Sequence, residues 1–393
     1  MHQNRYIFAA VALLSAFLYA ALLYATPRSD FFQLTGIYAL LFTGYIWVAQ
    51  GASPGLSGKM LRIRQLLIPA LLFRLLAMLA LPQLSDDYFR FVWDGRLLAQ
   101  GENPFLLTPE QWMAQPEAAA RLGLEPSLFQ GLNSPRYFTI YPPVLQFLFW
   151  LGAVLFPGNI YGHVLLMKVC VFAAECGSLW LILRLLQKLN LPPQRIALYA
   201  WNPLVVIELC GNLHFEALMV FFLLLAAWLL LRAGEQRGTQ AGRLYEGASA
   251  LAFALAICSK LLPLMALPML IRRIGLWPAV RYGLIAGLAT LLMFLPLFDR
   301  ETFLHLFSSV QLYFQKFEFN GSLYAIVRWW GYQERGYNII EKAGKYLAAI
   351  TAGGILLLAL AERRPTVANW LPRMLWVWMV YLAMASIVHP WYV

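Results

Sequence analysis

The sequence predicts an all-α, polytopic membrane protein with about eleven transmembrane helices, and three observations carry that reading. Of the 393 residues, 61% are hydrophobic and only 12% are charged, with a mean hydropathy of +0.63. A soluble domain averages about 25% charged residues, so this much apolar surface requires lipid as its solvent. Apolar runs long enough to cross about 30 Å of hydrocarbon recur along the whole chain. The basic residues gather in the short connectors between them, as expected of loops held on the cytoplasmic side. That placement explains the formal charge of +11 and sets nucleic-acid binding aside.

The long apolar runs are 6–25, 31–50, 64–82, 162–186, 215–231, 277–298, 342–361 and 369–389. The first is too long for the apolar core of a signal peptide and reads as a retained span. Shorter runs at 141–156, 196–210, 247–258 and 261–271 are Pro-interrupted or brief, the mark of broken or partly buried helices. Four basic connectors orient the chain: Lys59, Arg62 and Arg64; Arg232, Arg237 and Arg243; Arg272 and Arg273; Arg363 and Arg364. With these inside, residues 85–138, 211–214 and 299–338 and His389 lie outside. One stretch resists. Runs 141–156 and 162–186 make two crossings, yet Arg184, Lys188 and Arg195 require an odd number. Within 162–186, Lys168 and Glu175 are expected to pair along the helix. The four cysteines all sit in apolar runs and match no metal-site spacing.

Two loops, 85–138 and 299–338, are too long to be mere connectors. The first opens Ser85-Asp86-Asp87-Tyr88-Phe89-Arg90-Phe91-Val92-Trp93-Asp94-Gly95-Arg96 where the third span leaves the membrane. Adjacent carboxylates at an apolar boundary repel each other and are costly to charge, which suits a general base. On a helix Asp86, Arg90 and Asp94 share a face, and Asp86 is the expected base. The alternative is an interfacial helix whose charges only pair and whose aromatics form a belt. Asn202-Pro203 breaks a later apolar run, and 211–216 then brings His214 and Glu216 together, either as a capped turn or as a hydroxyl- or phosphate-binding group. Lys260 and His389 occur at the outer ends of apolar segments. There they could neutralise a phosphate, or simply snorkel and join an aromatic belt.

The string Asp86-Asp87-Tyr88, Arg90, Trp93-Asp94-Gly95, then Gly101-Glu102-Asn103-Pro104-Phe105 and Tyr141-Pro142-Pro143, resembles the first luminal loop of GT-C glycosyltransferases. It looks closest to bacterial polyprenyl-phosphate-mannose-dependent mannosyltransferases and their GPI mannosyltransferase relatives. Gly211-Asn212-Leu213-His214-Phe215-Glu216, Ser259-Lys260-Leu261-Leu262-Pro263 and His389-Pro390-Trp391-Tyr392 extend the likeness along the chain. The resemblance implies one GT-C-like transmembrane domain over 1–393, with 85–138 as the catalytic extracytoplasmic loop and 299–338 as a second large one. It makes Asp86 and Asp87 catalytic, with Arg90, Arg96, His214, Glu216, Lys260 and His389 binding substrate. Two departures stand out. The catalytic loop follows the third span rather than the first, and relatives continue past the His-Pro-Trp-Tyr stretch, so a truncation after Val393 is an expectation.

The implied activity is inverting transfer of a sugar, mannose by resemblance, from a polyprenyl-phosphate donor to a lipid or glycan acceptor outside the membrane. The setting is a multi-pass integral membrane protein, in the plasma membrane if bacterial, among membrane lipids and without nucleic acid. No cofactor is assigned, and metal dependence is left open. A divalent metal could bridge the acidic pair and the phosphate, although adjacent Asp residues alone are a poor metal site. The rival is a secondary transporter or flippase for lipid-linked sugars, which predicts ionisable groups at the bilayer midplane and halves related by a repeat. P-loop, zincin, nucleophile-elbow and Rossmann signatures are absent from the sequence.

Overall fold

The structure is a computed structural model that describes residues 2–51, 61–315 and 317–392. Lys59 of the first basic connector and the end residue Val393 lie outside the described residues. Helices hold 77% of the chain, and no strand occurs among the described residues. Among the described residues, six helices are long and apolar enough to cross a membrane. The expected total near eleven is therefore matched only in part, because several apolar runs fold as shorter or broken helices.

The chain divides into two compact units, one of residues 1–102, 116–134 and 146–224 and the other of 103–115, 135–145 and 225–393. In the first, α1 (His2–Ala25), α2 (Phe31–Gly51) and α3 (Ile63–Leu79) lead to the interfacial α4 (Asp87–Ala99). The short helices α5 (Pro109–Met113), which belongs to the second unit, α6 (Pro116–Arg121) and α7 (Pro126–Gln130) complete the 85–138 loop. Loop 85–138 is thus built from brief helices, three of them started by Pro at the first helical position, where a missing N–H costs nothing.

Residues 141–186 form two helices of unequal length. Helix α8 (Pro143–Leu155) starts only at Pro143, and its 13 residues rise about 20 Å, short of the hydrocarbon core. Its partners are on the 85–138 loop: Gln146 donates to Asp94 at 3.1 Å, and the Phe149 ring stacks on Phe91 at 4.9 Å. Gly95 permits this approach, since a Cβ there would lie 2.3 Å from the Phe149 carbonyl oxygen. Only the 29-residue α9 (Ile160–Lys188) is long enough to cross in this region.

The first unit contains several charges buried in apolar surroundings. Lys168 and Glu175 do not pair, contrary to expectation. Glu175 accepts from Arg74 Nε at 2.9 Å and from the Tyr199 hydroxyl at 2.5 Å, and both members of the ion pair are fully buried. Arg74 also donates to the Ala70 and Ala200 carbonyls. Lys168 Nζ instead donates to the carbonyls of Ala77 at 2.9 Å and Gly211 at 2.7 Å. These carbonyls end helical segments, and in a lipid-facing bundle they need an internal donor. Pro69 likewise interrupts the α3 ladder, and Trp201 Nε1 supplies a bond to the nearby Leu66 carbonyl.

Run 196–210 is not a single helix. It folds as a 3₁₀ turn (Pro193–Ile196), the one-turn α10 (Ala197–Ala200) and, past Asn202-Pro203, a π-helical segment (Val205–Gly211). From there α11 (Glu216–Glu235) begins in the first unit and ends in the second.

The second unit holds α12 (Gln240–Ser259), a 3₁₀ segment (Leu262–Leu270), α13 (Ile271–Ile274), α14 (Leu276–Phe294), α15 (Arg300–Gln315), α16 (Ser322–Arg335), α17 (Ile340–Ala361) and α18 (Trp370–Met384). Helices α12 and α14 are tied by Tyr282, whose hydroxyl lies 3.0 Å from Ser249 Oγ, and by Arg281 forked onto Glu246. Loop 299–338 is also helical. Along α16 the exposed Ile326, Trp329, Trp330 and Tyr332 form the kind of aromatic face that suits the headgroup layer of a bilayer. Glu318, just before α16, accepts bonds from Tyr324, Arg328 and Asn338. Burial pushes its carboxyl upward, but these three donors outweigh that and hold it below the ordinary carboxylate range.

Candidate active site

Helix α4 starts at Asp87, not at Asp86, and this one-residue boundary separates the acidic pair. Asp86 is the residue just before the helix, with φ −94° and ψ 4°. Its carboxylate pairs with Arg28, from the connector between α1 and α2, in a solvent-exposed contact. Arg90 turns inward and binds Asp94 at 2.8 Å, and Asp94 is fully buried.

Asp87 faces a different set of groups. Asn133, at the end of the 85–138 loop, donates to Asp87 Oδ1 at 2.7 Å, and the Asp87 amide donates to Ser85 Oγ at 3.3 Å. Asp87 Oδ2 lies 3.9 Å from His214 Nε2, and the carboxylate keeps 24% of its surface exposed. The buried His214 ring has Glu208 Oε2 3.4 Å from its other nitrogen, Nδ1. Glu208 accepts in turn from Asn212 Nδ2 at 3.0 Å and from the Tyr38 hydroxyl at 3.4 Å. Asn212 Oδ1 completes the circuit by accepting from the Leu84 amide, just before the acidic pair. The result is a carboxylate–imidazole–carboxylate row whose Asp87 end alone reaches solvent. Beside it, burial and then the negative charge of Asp86 push the Tyr88 phenol upward.

The other residues singled out in the sequence have the following surroundings. Nine residues after Asp87, at about 100° per residue, Arg96 occupies the opposite face of α4. It donates to the Gly123 carbonyl and lies 3.5 Å from Glu125. Glu216 is buried in the first turn of α11. Lys260 and His389 belong to the second unit and share a partner: Lys260 Nζ sits 4.6 Å over the Tyr392 ring, and His389 meets the same ring edge-on while stacking on Trp391 at 4.3 Å. No three His, Cys, Asp or Glu gather as a metal cluster among the described residues.

Glu208, Asn133 and Arg28 were not selected from the sequence. For Glu208 there was a usable signal, a lone acid in the apolar run Val205–Gly211 six residues before His214. Arg28 and Asn133 sit in ordinary polar connectors and carried none.

A family model described as the MptA_B family, alpha-(1->6)-mannopyranosyltransferase, N-terminal domain, matches residues 12–275. The chain belongs to this mannosyltransferase family. It is accordingly a glycosyltransferase, and its apolar helices make it a membrane protein. The match takes in the acidic pair, Arg90, Arg96, Glu208, His214, Glu216 and Lys260, while His389 lies beyond it. No curated protein and no solved structure matches the mannosyltransferase. The rival transporter draws on buried ionisable groups, and Arg74, Glu175 and Lys168 are such groups, but fixed partners occupy them and the family is that of an enzyme.

Proposed function

We propose that the mannosyltransferase moves mannose, with inversion, from a polyprenyl-phosphate donor to the 6-hydroxyl of a mannosyl unit on a lipid or glycan acceptor. The reaction is assigned to the extracytoplasmic face, within one GT-C-like transmembrane domain of about eleven crossings whose catalytic loop is 85–138. With α8 too short to span, α9 supplies the odd crossing that Arg184, Lys188 and Arg195 demand.

The observation that supports this reading is the setting of Asp87, one oxygen held by Asn133 and the other turned toward His214. Asp87 takes the proton of the acceptor hydroxyl as that oxygen bonds to the anomeric carbon. The bond from the anomeric carbon to the phosphate oxygen breaks, and its electron pair leaves on polyprenyl phosphate. Attack opposite the leaving group inverts the centre. Arg28, exposed beside Asp86, offers positive charge to the phosphate. Arg90, Arg96 and Glu216 act through the packing of the loop and of α11, and Lys260 and His389 bind substrate within the second unit. No step is routed through a metal.

The test is purified protein given polyprenyl-phosphate [³H]mannose and α-1,6-mannobiose. Labelled, elongated glycan is expected from this donor and not from GDP-mannose. Product from GDP-mannose alone would reverse the donor and the face assigned to the reaction.

A further inference from the structure

Glu208 is a carboxylate with 6% of its surface exposed, in a seven-residue π-helical segment of otherwise apolar or small residues. Single π-turns are rare and cluster at functional sites. The segment hands over to His214 through Leu213, whose φ of +61° is uncommon for a residue with a branched side chain. Such a conformation persists where neighbours over-determine it. Here Lys168 grips the Gly211 carbonyl, Asn212 bonds both Glu208 and the Leu84 amide, and the His214 amide returns to the Glu208 carbonyl.

We propose that Glu208 is a positioning residue of the mannosyl-transfer site, fixing the tautomer and tilt of His214 so that Nε2 faces Asp87. This rests on the reading of Asp87 as the base. The Glu208 carboxylate lies 3.4 Å from Nδ1 in a contact of charge rather than of hydrogen-bond geometry; its negative charge favours the imidazole proton on that nitrogen and leaves the Nε2 lone pair on the Asp87 side. When Asp87 takes the proton of the acceptor hydroxyl, the 3.9 Å gap to Nε2 closes to hydrogen-bond length so that the new O–H meets that lone pair. The proton passes to His214, the imidazolium stands between two carboxylates, and Asp87 returns to its charged form. The proton then returns through Asp87, the end of the row that reaches solvent, to water, so no oxidant or further reactant enters. Without Glu208 the ring is free to carry its proton on Nε2, which would face Asp87 with a donor and leave no acceptor.

The decisive measurement is a double-mutant cycle on the purified full-length protein, with polyprenyl-phosphate [³H]mannose and α-1,6-mannobiose. Glu208→Gln should lower kcat about ten- to a hundred-fold with donor KM within about two-fold, the loss typical of an outer-shell partner. In a His214→Asn background the same change should add almost nothing, because both act through one ring. A purely structural Glu208 would lower melting temperature, and its loss would multiply with that of His214→Asn; that result overturns the proposal, as does wild-type turnover of Glu208→Gln. Should Glu208→Gln fold poorly, Glu208→Asp keeps the charge but withdraws it, and full activity from a well-folded Glu208→Asp is equally fatal. A fully active Asp87→Asn would instead remove the base assignment on which this one stands.

Discussion

Asp87→Asn is expected to lower mannosyl transfer by about 10²–10⁴-fold, the range over which a positioned general base contributes. The substitution keeps the shape of the side chain, and Asn133 still has an oxygen to meet. Donor KM should therefore change little, since a base acts mainly in the transition state. Asp86→Asn should have a much smaller effect. It breaks an exposed contact with Arg28, and such pairs contribute at most about 1 kcal/mol. The expectation from sequence alone placed the base at Asp86; the helix boundary and the surroundings of the two carboxylates favour the reverse order. Initial rates of both variants, with melting curves to verify folding, decide the matter. Near-wild-type turnover of Asp87→Asn beside an inert Asp86→Asn would restore the original order.

Glu175→Ala is expected to have the largest effect on stability. Removing one partner of a buried ion pair leaves the other charge uncompensated and costs about 3–5 kcal/mol. Here Arg74 is fully buried and has no route to water, and its Nη2 has no hydrogen-bond partner even with Glu175 present. Arg74→Ala should be as damaging, because it strands Glu175 beside Tyr199. The double change Arg74→Met with Glu175→Met should recover much of the loss, as apolar replacements of buried pairs often do. Thermal unfolding of detergent-purified protein, followed by size-exclusion chromatography, reads these differences. A Glu175→Ala variant that unfolds with the wild type would show that the pair is hydrated and contributes little.

Much of the fold was legible because composition and apolar run length report the solvent directly. The helical class and the membrane setting both followed from residues read in order. What stayed hidden depends on single-residue geometry. Residues 141–156 count sixteen apolar-rich positions, enough to suggest a crossing, but Pro142-Pro143 delays the helix until too few residues remain. Asp86 and Arg90 are four apart, yet Asp86 pairs with Arg28 and Arg90 with Asp94. Lys168 and Glu175 sit two turns apart on one helix, but free carbonyls on α3 and in the π segment compete for the lysine, and Arg74 competes for the glutamate. The row from Glu208 to Asp87 joins residues about 120 positions apart in sequence through a π-turn that no periodicity announces.

The most direct test of the central claim, that the Asp87 end of α4 receives the donor sugar, is photo-crosslinking. Polyprenyl-phosphate mannose carrying a diazirine on the sugar would be irradiated with the purified protein, and the adducts mapped by mass spectrometry. Labelling is expected on peptides containing Asp87, Asn133 and His214, and it should be lost on competition with unlabelled donor. Competable labelling confined to the basic connectors around Arg237 or Arg272 would place the sugar at the other face and contradict the assignment.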